Sequence, residues 1–61
     1  MLRVIFSKKG KPVPKFPVQY YVNTNNYKHA ENLARIELER ENIDASRYDQ
    51  VLIVDINVIE P

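Results

Sequence analysis

Sixty-one residues confine the chain to one small domain, which on folding hides only about 60% of the surface its unfolded form exposes. With no cysteine and a single histidine, His29, disulfide staples, thiolate metal sites and imidazole clusters are excluded, so no metal or cofactor is expected and a homo-oligomer is the favoured way to add buried surface. Nine Lys plus Arg against eight Asp plus Glu leave a formal net charge of +1, too little to drive the whole chain towards nucleic acid or a membrane.

Leu2 to Phe6 reads as a first strand, with Leu2, Val4 and Phe6 on one face and Arg3 and Ile5 on the other. Ser7 to Pro17 is a different material. It holds Lys8, Lys9, Lys11 and Lys15, the only glycine (Gly10), and three prolines, Pro12, Pro14 and Pro17. Proline lacks a ladder N–H and biases the residue before it towards extended geometry, so this stretch is expected to be a semi-rigid excursion turning at Gly10.

The second strand, Val18 to Val22, alternates cleanly, setting Val18, Tyr20 and Val22 against Gln19, Tyr21 and Asn23. Asparagine and threonine side chains follow, and Asn25 or Thr24 is expected to cap a helix running from Asn26 to Asn42. At 100° per residue Tyr27, Ala30, Leu33, Ala34 and Leu38 share its apolar face, Glu31 and Arg35 form an i,i+4 pair, and Asn42 suits a left-handed stop. Ile43 to Gln50 is a loop with one helical turn near Ser46. Val51 to Ile59 returns to a β-branched run, which is expected to turn Leu52, Val54, Ile56 and Val58 inward and Val51, Ile53, Asp55, Asn57 and Ile59 outward.

A strand, helix and strand in succession demand a crossover, and the first strand fits the gap between the other two. The expected fold is α+β: ββαβ as a single domain over residues 1–61, a mainly antiparallel three-stranded sheet of order 2-1-3 with one helix on one face. Order 1-2-3, with strands two and three parallel, is the alternative; the commoner antiparallel pairing favours the first.

One helix leaves one sheet face open, and function is sought there. Arg3, Ile5, Gln19, Tyr21 and Ile53 are the expected protein-interface residues. The leading reading is a non-enzymatic, inhibitor-type protein-binding module that uses this face or an edge strand, of the compact kind found among phage and mobile-element accessory genes. A nucleic-acid binder setting Lys8, Lys9, Lys11 and Lys15 on backbone phosphates is one alternative. A structural homodimer subunit is another. No catalytic constellation stands out: Ser7, Ser46 and His29 have no positioned partners, and so small a fold has little room for a supported pocket. No apolar run approaches the about 20 residues of a membrane span. Arg3 and the Lys8-Lys9 pair break any signal-peptide core, and the N-terminus is expected to be native and part of the sheet, in a cytoplasmic protein.

Overall fold

The computed structural model describes residues 1–56, in which β1 (Leu2–Ser7), β2 (Val18–Val22), α1 (Tyr27–Arg40), a short 3-10 turn (Ala45–Arg47) and β3 (Gln50–Asp55) follow in chain order. The sheet order is β2-β1-β3, and β1 is antiparallel to both neighbours. β2 and β3 therefore run in the same direction with β1 between them, and α1 bridges the two edges across one face. The fold is α+β, with the order that alternation and chain connectivity led us to expect.

β1 is central because its inward face is the most apolar. Leu2, Val4 and Phe6 are buried against Val22 of β2 and against Ala30, Ala34 and Leu38 of α1. The two alanines let the helix axis approach the sheet closely, and Leu38 then fills the remaining depth. Phe6 stands edge-on to Tyr20 with ring centroids 6.1 Å apart, and Tyr48 closes its other side at 6.0 Å. The Arg35 guanidinium lies 5.8 Å from the Phe6 ring centroid while its Nε pairs with Glu31 at 3.5 Å.

β3 has the opposite phase from the one expected. Directly opposed residues in an antiparallel pair share a face, and here Val51 opposes Phe6 and Ile53 opposes Val4. Val51 and Ile53 consequently pack on the core, whereas Leu52 and Val54 turn to the open side. Val51-Leu52-Ile53-Val54 is apolar at every position, so alternation within the strand carries no phase information. Pairing decides it instead: the Asp49 N–H donates to the Ser7 carbonyl at one end of the ladder and the Ile56 N–H to the Met1 carbonyl at the other. Asp55, opposite Leu2, likewise leaves the open face. Asn57, Val58 and Ile59 lie outside the described residues.

The helix ends follow local chemistry. Three consecutive residues could cap α1, and Asn26 does so, its Oδ1 accepting the His29 N–H at 3.0 Å, while the Thr24 hydroxyl accepts the Asn26 N–H. At the other end Asn42 is left-handed (φ 59°). The Ile43 N–H reaches the Leu38 carbonyl and the Asn42 N–H the Glu39 carbonyl, the paired bonds of a Schellman stop, with Ile43 packing back on the core. Tyr27, on the first turn, overhangs the sheet and is exposed.

Candidate functional site

Two surfaces present chemistry to solvent, one on each side of the sheet. The side away from α1 is a grid of two rows. Tyr21, Arg3 and Val54 form one and Gln19, Ile5 and Leu52 the other, as the registers of β2 and β3 on β1 require. Ile53 is not part of this grid, for the reason of phase given above, and Leu52 and Val54 take its place. Ile5 is only 7% exposed and is floor rather than contact, because the central strand is flanked on both sides. Arg3 and Gln19 are half-buried, and the Arg3 Nε is enclosed with no acceptor among the described residues. Tyr21 is 57% exposed and Val54 40%.

Tyr21 is also continuous with a feature that β2 and α1 make together. A shallow depression of about 340 Å³ runs beside the outer edge of β2, lined by Tyr20, Tyr21, Val22, Leu33, Ile36 and Glu37. Ile36, an apolar residue outside the helix's buried stripe, is 52% exposed here. The Glu37 carboxylate holds the Arg40 guanidinium at 3.1 Å, so it reaches along the helix rather than towards Arg47 or Tyr48. The Tyr20 hydroxyl lies inside the layer and meets no acceptor in hydrogen-bonding geometry among the described residues. Burial, then the Glu41 carboxylate at the helix end, pushes its pKa up to about 12.

The lysine and proline connection makes the second surface, on the helix side. The Lys11 N–H closes a turn onto the Lys8 carbonyl at 3.1 Å, and Gly10 sits at φ +80°, the position of a type II turn that favours glycine. Asp49 ties this turn to the start of β3 by accepting the Lys9 N–H through its carboxylate at 2.6 Å. All four loop lysines are exposed. Lys8 and Lys11 face a cleft of about 430 Å³ together with Arg47, while Lys9 and Lys15 lie outside it. The Lys15 ammonium instead stands 5.8 Å from the Phe16 ring centroid.

Arg47 and Tyr48 are two of the cleft residues that sequence reasoning did not assign to a site. Their signal is topological: if β1 and β3 pair antiparallel, the residues just before β3 must meet those just after β1. Asp44 sets their position by accepting the Ser46 hydroxyl at 2.8 Å and the Ser46 N–H at 3.0 Å, bonds that hold its carboxyl below the usual range. Among the described residues no group of three His, Asp or Glu side chains is placed to hold a metal ion. No described helix is long and apolar enough to cross a membrane. His29 is exposed and acts through its backbone N–H at the helix cap. No protein-family model, curated protein or solved structure matches this chain, so geometry alone speaks for either surface.

Proposed function

We propose that this chain is a non-enzymatic protein-binding module that receives an extended segment of its partner along the β2 edge. Among the described residues β2 has a neighbour on one side only, and an edge strand offers unpaired backbone groups to an incoming strand. What carries the reading is the depression beside that edge, where Tyr21 and Ile36 are both more than half exposed and Leu33 supplies a partly buried floor. Backbone pairing would give affinity there, and the apolar footing would select the partner's side chains. Tyrosine, which lines this patch, is among the residue types enriched where binding energy concentrates. By occupying the partner's strand, a module of this kind works as an inhibitor-type accessory protein.

The test exploits the absence of cysteine. Asn23→Cys and Asn32→Cys each place one thiol, the first at the depression and the second on the exposed side of α1, for attachment of a photo-crosslinker. In extract of the producing cells, position 23 is expected to yield a discrete adduct that adding Ile36→Ser abolishes, and position 32 none. Equal adducts from both positions would remove the basis for the proposal. An adduct of twice the chain's mass identifies the partner as a second copy.

A further inference from the structure

The cleft on the helix side has a composition that the β2 depression lacks. Its floor is Phe6, Val18 and Tyr48, and its wall is Pro12, Pro14 and Phe16. Three cations border it, Lys8 and Lys11 from one connection and Arg47 from another, and no carboxylate lines it among the described residues. Phe16 is 86% exposed. A phenyl ring has no polar handle to justify such exposure, and the prolines around it, with the Asp49 tether, keep the loop from folding it inward.

We propose that this cleft binds single-stranded nucleic acid, with backbone phosphates on Lys8, Lys11 and Arg47 and a base stacked on Phe16. The cations and the ring call for different parts of one ligand. Phosphates suit ammonium groups and, in bidentate fashion, the Arg47 guanidinium. The flat apolar ring suits the face of a base, which is available in a single strand and hidden in a duplex. An acidic peptide would answer the cations and leave Phe16 bare. The volume, about 430 Å³, lies in the lower part of the range for sites that hold small organic groups, enough for a local contact and not for a long track. Binding is therefore sequence-tolerant and modest, with a Kd of about 1–100 µM at physiological salt. The surface is separate from the β2 depression, so success or failure here leaves the protein-binding proposal to its own test.

Fluorescence anisotropy with a labelled oligothymidine of about 12 nucleotides decides the matter. Three phosphate contacts on a single strand predict a slope of log K against log salt of about −2. Phe16→Ala is expected to weaken binding about 5- to 100-fold with the slope unchanged. Lys8→Gln, Lys11→Gln and Arg47→Gln are each expected to lessen the slope by about 0.7. All four side chains are exposed, so circular dichroism should show these variants folded. Absence of binding at low salt, full affinity in Phe16→Ala, or displacement of the oligonucleotide by polyglutamate as readily as by unlabelled oligothymidine would each overturn the proposal.

Discussion

Tyr20→Phe removes one oxygen atom and should make the protein more stable. The hydroxyl is enclosed, and among the described residues no acceptor meets it in full hydrogen-bonding geometry, although the Glu41 carboxylate lies close enough to oppose its ionisation; an enclosed hydroxyl left so costs about 1–3 kcal/mol against water. The ring itself, edge-on to Phe6, is retained in the variant. Part of the penalty is relieved because the side chain is only half-buried, so a gain of about 1 kcal/mol is expected, equivalent in so small a domain to about 4–8 °C in Tm. The pH dependence adds a second signature. With the folded-state pKa raised to about 12 from an ordinary value of 10.0, the unfolded chain loses this proton first. Native stability is then held below pH 10 and declines as pH rises from 10 to 12. The phenylalanine variant has no such group, so its advantage should be constant below pH 10. Above pH 10 it should widen by about 1–2 kcal/mol, after discounting for solvent screening at a partly exposed ring. Urea melts of both proteins at several pH values measure this directly. A variant less stable than wild type by 1 kcal/mol or so would mean that the hydroxyl is bonded after all. A difference that stays flat to pH 12 would mean that its environment does not oppose ionisation.

Leu38→Ala should cost about 2–5 kcal/mol, since Leu38 is fully enclosed and the sheet cannot collapse into the gap; thermal denaturation by circular dichroism reads the loss. Ile53→Ser should destabilise by about 2 kcal/mol or more while Val54→Ser stays within about 0.5 kcal/mol, and comparable losses would place β3 in the other phase. Asn26→Ala should lose about 1 kcal/mol through its cap, whereas Asn25→Ala should be nearly silent in the same melts.

The architecture was legible where residue types alternate without ambiguity. Val18-Gln19-Tyr20-Tyr21-Val22 declares its inward face, and Ala30, Leu33, Ala34 and Leu38 recur at helical spacing. Asn42 stops the helix in the left-handed geometry anticipated for it. β3 was legible as a strand but not in phase, because four consecutive apolar residues satisfy either orientation and a slip of one position exchanges the faces. That single ambiguity moved Ile53 off the open surface and put Val54 on it. The cap shifted to Asn26 for a related reason: neighbouring residues of equal capability leave the choice to backbone geometry. Lys8 and Lys11 were visible as a charge run, but Arg47 lies thirty-six residues beyond Lys11. Their meeting depends on β1 and β3 being paired, a tertiary fact that no local window contains.

The middle strand of the sheet precedes both of its neighbours in the chain, and one of its flanks is closed only when β3 arrives. A nascent chain extended as far as Asp49 can form the hairpin and the helix, yet the β3 side of β1 stays bare, with Ile5 uncovered and the backbone of Leu2 to Ser7 free to accept any passing strand. Arrival of β3, rather than early collapse, is then the step that protects the protein from joining its neighbours. Slow translation or premature termination near the start of β3 should accordingly show up as insoluble material, while product that includes β3 remains dispersed.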